Sequence, residues 1–453
     1  MKYIAIDLGA SGGRLIFGEI VGETLSLEVI HRFSNGPSVG EDGHLTWNVK
    51  HMFTEIVKGL KRAGELGKKP DYIGIDTWAV DYALLDKDDR QIGPLYCYRD
   101  RRGAQASAKV HTIVPFMTLY GSTGIQYQPF NTIYQLYDDK MAGRLEKAES
   151  FLLLPDYLNF LLTGVKMQEY TNMTATGLVN AHTHKIDEEI VTVLDYPRKL
   201  FGEIKQPGTV VGRLKPEIVS EIGYDATVAL PATHDTASAV LSACLEYGQP
   251  YISSGTWSLL GIMSDICRTD YRSMEYNYSN EGSTGFDFRF QKNIMGLWVI
   301  QQVRHELGDR YSFAQLVKMA KEDPTDKVID INHQDFLSPV SMIKEIEKRT
   351  GELTVGQLAY CIYHSLAVSY RNALDELEEM TGLDFRTLTL IGGGTQNVLL
   401  NDLTEKETGL KIVLGPHEGS AVGNLMMQMV ASGEIASTEE WHRKVKHIKE
   451  TSK

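Results

Sequence analysis

Cysteine is scarce in this chain. Cys97, Cys244, Cys267 and Cys361 are the only four among 453 residues, and no two form a CxxC pair. Neither a zinc site nor a disulfide framework is therefore indicated. Long apolar runs are also missing. A membrane-spanning helix needs about 20 such residues in a row, so none is expected. The N-terminus, Met1-Lys2-Tyr3-Ile4-Ala5-Ile6-Asp7, runs straight into a strand-like stretch without the features of a signal peptide, so a cytoplasmic location with reduced thiols is expected. No GxxxxGK[ST] occurs, which excludes a P-loop phosphate site. Positive charge is in deficit: 46 Lys and Arg stand against 59 Asp and Glu, for a net charge of −13. That balance argues against a nucleic-acid partner, whose phosphates it would repel. It leaves a small anionic ligand open, because local amides, arginines or a metal overcome a distant field.

The chain does have an ordinary globular composition, 42% hydrophobic and 23% charged. Its length exceeds what one core organises, so two or three domains are expected. Strand-like stretches at 3–8, 14–20 and 25–33 are punctuated by glycines. Residues 49–65 place Met52, Ile56 and Leu60 at helical spacing, and 72–76 and 82–85 read as strands. The second half repeats the theme. Strands are predicted at 251–254, 259–263, 388–391 and 412–414, and helices at 355–380, 397–408 and 420–432. Strands followed by helices in this order indicate mixed sheets flanked by helices, an α/β class. The segment Glu246-Tyr247-Gly248-Gln249-Pro250 is the candidate boundary, giving domains 1–245 and 246–453. The basic tail 443–453 reads as a solvated terminal helix or a frayed end.

Three separated segments place an acid or glycines directly after a strand. They are Asp7-Leu8-Gly9-Ala10-Ser11-Gly12-Gly13-Arg14, then Gly74-Ile75-Asp76-Thr77, then Ile391-Gly392-Gly393-Gly394. Glycine lets backbone amides approach a phosphate closely. Asp7 can hold a hydrated Mg²⁺ against phosphate oxygens, and an isolated acid of this kind can equally be a turn residue. The matching Asp76 after a second strand favours the metal reading.

The segment Thr233-His234-Asp235-Thr236 precedes a helix-like run. Asp235 there suits either a general base that takes a hydroxyl proton or a helix N-cap. His234 suits a sugar hydroxyl or a buried neutral ring. Ser253-Ser254-Gly255-Thr256-Trp257-Ser258 reads as a hydroxyl-rich turn able to wrap phosphate oxygens, or as a plain hairpin. His182 and His184 lack a third metal ligand at suitable spacing and read as a surface loop. Met426, Met427 and Met429 read as core packing.

Taken together, these stretches resemble the FGGY carbohydrate kinases of the actin, hexokinase and heat-shock-70 ATPase superfamily. The resemblance is carried also by Thr77-Trp78-Ala79-Val80-Asp81, Tyr98-Arg99-Asp100, Lys292-Asn293-Ile294-Met295-Gly296-Leu297-Trp298 and Gly415-Pro416-His417-Glu418-Gly419-Ser420. It spans nearly the whole chain in family order. It implies two ribonuclease-H-like domains around a closing cleft, with the sugar mainly on the first and ATP on the second. It implies that Ala10, Ser11, Gly12, Gly13 and Arg14 form a phosphate loop. Thr256, Gln301, Gly393 and Gly394 would also bind ATP. His234, Asp235, Thr236 and Asn293 would contact the sugar, with Asp235 as the base, and Asp7 and Asp76 would organise Mg²⁺. The implied reaction is ATP-dependent phosphorylation of L-rhamnulose at its 1-hydroxyl. Another ketose such as fuculose or xylulose is the near alternative. A nucleotide-dependent binding protein of the actin and chaperone type is the remote one. Similar sequences often have glycine after the Thr-Trp pair, where this chain has Ala79, a methyl that narrows the sugar pocket or shifts its backbone.

Overall fold

The computed structural model describes residues 1–337 and 339–451. Two mixed sheets organise it. The first contains β1 (Lys2–Gly9), β2 (Gly12–Val21), β3 (Thr24–Ser34), β4 (Tyr72–Thr77), β5 (Val210–Arg213) and β6 (Thr227–Ala229), in the order β5-β6-β4-β1-β2-β3. β1 runs antiparallel to β2 and parallel to β4. Its residues from Tyr3 to Leu8 are buried, because helices cover both faces of this central strand. One cover is α1 (Val49–Glu65), started by Asn48, whose side chain accepts the His51 amide at 2.9 Å. Its Met52, Ile56 and Leu60 are fully buried, as the spacing predicts. Truncating Ile56 to Ala would cost about 2–5 kcal/mol.

The second sheet contains β7 (Pro250–Ser254), β8 (Trp257–Ser264), β9 (Ser279–Gly282), β10 (Phe288–Met295), β11 (Thr387–Ile391) and β12 (Lys411–Leu414), in the order β9-β10-β8-β7-β11-β12. Like β1, β7 has an antiparallel neighbour on one side and a parallel one on the other. The two sheets thus repeat one pairing plan.

Helices α2 (Asp235–Ser242) and α3 (Trp298–Glu306) lead away from the two sheets beside the cleft. A long helix, α4 (Val355–Thr381), opens with a Thr354–Gln357 capping box and stops at left-handed Gly382. Helix α5 (Gly419–Ala431) then returns to the first sheet. Its Val422, Leu425, Met426 and Met429 share a buried cluster with Tyr3, Ala5, Ile16 and Leu27. It crosses α2 closely: a Cβ at Gly423 would meet the Ser238 carbonyl oxygen at 1.8 Å. A short helix, α6 (Thr438–Lys444), follows, and β13 (His447–Thr451) pairs in parallel with β3. Within the tail, residues 447–451 therefore form an edge strand of the first sheet rather than a solvated helix or a frayed end, and residues 452–453 lie outside the described residues. The strand's backbone amides and carbonyls find partners along β3, which a local reading of its charges does not reveal.

Among the described residues no helix is long and apolar enough to cross a membrane. All four cysteines are free, with Cys97 and Cys361 buried.

Candidate active site

The ends of β1 and β4 place two carboxylates together. Asp7 and Asp76 are register partners on these parallel strands. Arg14, on the neighbouring strand β2, donates to both Asp7 and Glu418, the residue just before α5. Asn424 of α5 donates to Asp76 Oδ2 at 2.5 Å, while Asp76 Oδ1 is buried without a partner. Burial pushes the Asp76 carboxyl well above the usual range, and the charges of Asp7 and Asp235 add to that push. The three acids thus form one electrostatic group.

Asp235 enters this group through a braced loop. The Thr77 amide donates to the Thr233 carbonyl at 2.9 Å. Buried Glu169 accepts from the Thr233 hydroxyl at 2.6 Å and from its amide at 3.2 Å. His234 takes the cap position of α2 and Asp235 is its first helical residue. Asp235 Oδ1 accepts from the Thr236 amide at 2.6 Å, yet its side chain remains 30% exposed, toward the cleft. Enclosure by protein raises its pKa, and Asp7 raises it further, against the lowering effect of His234. A carboxylate held this way is more basic than one in water and still reachable.

Asp235 lines a cavity of about 250 Å³ between the two sheets. Ala10 and Ser11 contribute from the turn between β1 and β2. Ser253 and Ser254 contribute from the end of β7, Thr256 from the turn between β7 and β8, and Gly392 and Gly393 from the turn after β11. The glycine run divides its tasks. Gly392 has φ +86, a left-handed backbone that glycine adopts without strain. Gly394 packs so tightly that an added Cβ would lie 1.9 Å from Ser254 Oγ. Gly393 has nothing within 4 Å of that position and is open to the cavity. Gly13 is small for a different reason: a Cβ there would strike the Phe33 ring at 2.3 Å.

The opposite wall is aromatic and is organised by Asp81. Its Oδ2 accepts from Trp47 Nε1 at 2.6 Å, Trp78 Nε1 at 2.8 Å and the Tyr98 amide at 3.2 Å. Trp78, Ala79, Val80 and Tyr98 line the cavity beside it. Val80 has φ +73, an uncommon conformation for a β-branched residue, and its carbonyl accepts from Thr132 Oγ1 at 2.8 Å. Asn293 of β10 also lines the cavity, and its Oδ1 is buried without a protein partner.

The structure therefore brings Ala10, Ser11, Ala79, His234, Asp235, Thr236, Thr256, Asn293 and Gly393 to one cavity. Among the described residues, Gly12, Gly13, Arg14, Gln301, Gly394, Asp7 and Asp76 are not on its wall. Arg14 is engaged with Asp7 and Glu418, and Asp76 with Asn424. Gln301 is half-buried on α3, whose start donates backbone amides to the Gly255 and Thr256 carbonyls. Sequence reasoning missed Glu169, Gln126 and Glu281. Gln126 lines the cavity and accepts from the Asn293 amide at 3.4 Å. Each is a lone polar residue outside any motif, and only the fold gathers them. His184 bonds Tyr170 through Nδ1 at 2.8 Å and His182 is exposed, in line with a turn at the surface.

Two sheets of one plan, a helix returning to the first, and a cavity between them lined by Asp235 and glycine-bearing turns define an actin-like ATPase fold. Family models agree. The N-terminal domain of the FGGY family of carbohydrate kinases matches residues 2–242, and its C-terminal domain matches 250–432. The chain belongs to the FGGY family and is a sugar kinase. It is 46% identical to a rhamnulokinase of Halalkalibacterium halodurans, across 97% of this chain and 96% of that relative. It is 40% identical to the rhamnulokinase of Bacillus subtilis, across 99% and 94%. Among solved structures, a ligand-bound xylulose kinase from Lactobacillus acidophilus superposes with a TM-score of 0.80 at 16% identity, covering 98% of this chain and 92% of that one. A Plasmodium falciparum glycerol kinase with ADP gives 0.76 at 14%, covering 98% and 94%. These two likenesses concern the fold.

Proposed function

We propose that this sugar kinase transfers the γ-phosphoryl group of ATP to the 1-hydroxyl of L-rhamnulose. The geometric observation that carries the reading is Asp235, a carboxylate of raised basicity that faces the cavity with His234, Thr236 and Asn293 around it. The ketose itself is suggested by the rhamnulokinase relatives, matched over nearly their whole length.

In this reading Asp235 accepts the hydroxyl proton as the sugar oxygen bonds to the γ-phosphorus and the bond to ADP breaks. His234, Thr236 and Asn293 orient the sugar, and Ala79 shapes the pocket beside it. The turn Ala10-Ser11 and the start of β2, Gly12-Gly13-Arg14, approach the phosphates. Thr256, Gln301, Gly393 and Gly394 hold ATP from the second domain. The register pair Asp7 and Asp76, with an unpartnered buried oxygen on Asp76, fits a hydrated Mg²⁺. When bound, that ion neutralises charge on phosphate oxygens. The protein's contribution is mainly positioning and electrostatics, with water excluded as the cleft closes. The chain then divides into a sugar side at 1–245 and an ATP side at 246–453, with the tail returning to the first sheet.

The experiment is product analysis. Incubation with L-rhamnulose, ATP and Mg²⁺ should give ADP and a single sugar phosphate, and NMR should show phosphorus coupled to the C1 protons. Phosphate at another carbon, or no phosphorylated sugar, would overturn the proposal.

A further inference from the structure

The cavity wall contains one carboxylate with no part in the reaction as just described. Glu281 lies on β9, buried to 5% exposure. Its Oε2 is 3.2 Å from His234 Nδ1 and 3.2 Å from Arg289 Nη2. Arg289, on β10, is fully buried, and its Nε donates to the Gly282 carbonyl at 3.2 Å. Burial opposes the charge on Glu281, but the contacts with His234 and Arg289 prevail and hold its carboxyl at about 2. It is therefore an anion throughout the working range of pH.

The arrangement fixes the imidazole. Arg289 Nη2 also lies 3.3 Å from His234 Nδ1. A bare Nδ1 could accept from it, but its lone pair would then face a carboxylate oxygen at hydrogen-bond distance. Two donors converging on Glu281 Oε2 avoid that repulsion. Nδ1 thus carries a proton, and the tautomer this selects presents a lone pair at Nε2. Nε2 is 3.6 Å from Asp235 Oδ1, too far for a hydrogen bond, on the side where the cavity opens. The pair belongs to the second sheet, whereas His234 belongs to the loop leading from the first.

We propose that Glu281 and Arg289 are positioning residues for sugar recognition. They reach across from the second domain, hold His234 with Nδ1–H on Glu281, and leave Nε2 to accept a hydrogen bond from a ketose hydroxyl. The proposal rests on the assignment of His234 to the sugar. It makes the first domain's sugar contact depend on a buried ion pair of the second.

A double-mutant cycle on the full chain tests it. Glu281→Gln, His234→Ala and the double variant are compared by KM for L-rhamnulose, KM for ATP and thermal unfolding. Glu281→Gln should raise the KM for L-rhamnulose about tenfold, the scale of one misdirected buried hydrogen bond. The KM for ATP should change less than about twofold. In the His234→Ala background, Glu281→Gln should add nothing to the sugar KM. Equal losses for sugar and ATP, or full multiplication of the two sugar effects, would overturn the proposal. Should the Gln variant fail to fold, Arg289→Lys enters the same cycle. It keeps the charge and loses the fork that bonds Gly282 and Glu281 together. The wild-type assay separates the two readings. If another ketose is turned over in place of L-rhamnulose, the substrate assignment fails, and the cycle is run on that ketose with the same expected results.

Discussion

Asp7 and Asp76 stand side by side, in register, on adjacent parallel strands of the first sheet. Two carboxylates so placed repel each other, and Asp76 is fully buried. The fold answers with Arg14 on Asp7 and Asn424 on Asp76, and leaves Asp76 Oδ1 unpaired. An unpaired buried acid is costly, so its retention points to function rather than stability.

Asp76→Asn tests that inference. The amide keeps the shape and can still accept from Asn424, while the opposed charge is gone. Thermal stability should hold or rise by about 1 kcal/mol. Turnover should fall at least tenfold, and the Mg²⁺ concentration giving half-maximal rate should increase. A variant that loses stability and keeps its Mg²⁺ dependence would show that Asp76 serves the fold.

Asp235→Asn should lower kcat by roughly two orders of magnitude or more, the usual scale for loss of a general base. ATP binding, measured by titration calorimetry, should be little changed. The pH profile carries a second expectation. A base works deprotonated, so activity is lost as pH falls through its pKa. Enclosure raises that pKa, so the acid limb of kcat/KM for the sugar should lie above the ordinary carboxylate range. Near-normal kcat with lowered stability would reduce Asp235 to a helix-start residue.

Asp81 gives a stability prediction. Burial raises its carboxyl from 3.8 to about 6, against the hydrogen bonds of Trp78 and Trp47. Between those values the folded protein binds a proton that the unfolded chain does not. This group's penalty is therefore present at neutral pH and fades as pH falls through about 6. Asp81→Asn removes that dependence. The difference in unfolding free energy between wild type and variant should change between neutral pH and pH ~4 by on the order of 3 kcal/mol, in favour of wild type at the lower pH. Denaturant titrations at several pH values measure it, and parallel curves would contradict it.

Much of this fold was legible in the sequence because its signals are local. Val49–Glu65 shows its buried face in the spacing of Met52, Ile56 and Leu60, and β1, β4 and β11 each end in an acid or glycines. The cavity was legible where a local motif marks it: Ala10 after β1, Asp235 at the start of α2, Thr256 between β7 and β8 and Gly393 after β11 all meet there. What was not legible depends on distant pairing. β13 is defined by the open edge of β3 at the other end of the chain. Glu169 bonds Thr233, and Glu281 and Arg289 contact His234, but no spacing in the sequence connects them. Gly13 is also kept small by the Phe33 ring, a packing constraint from β3 that the glycine-rich turn does not display.

Ala79 lines the cavity next to the strained Val80. If its methyl contacts the sugar, Ala79→Gly should alter the ratio of kcat/KM between L-rhamnulose and other ketoses. A methyl-sized change discriminates by roughly 1–3 kcal/mol at most. ATP kinetics should be unaffected. Identical selectivity would mean that the methyl points away from the sugar.

The central claim is that the cavity serves one ketose and one phosphoryl donor. Coupled ADP release at saturating ATP and Mg²⁺ tests it directly, with L-rhamnulose, fuculose, xylulose, ribulose and glycerol offered in turn. L-rhamnulose should give the highest kcat/KM. A higher value for another sugar would contradict the substrate assignment, and no ADP release with any of them would contradict the kinase mechanism built on Asp235.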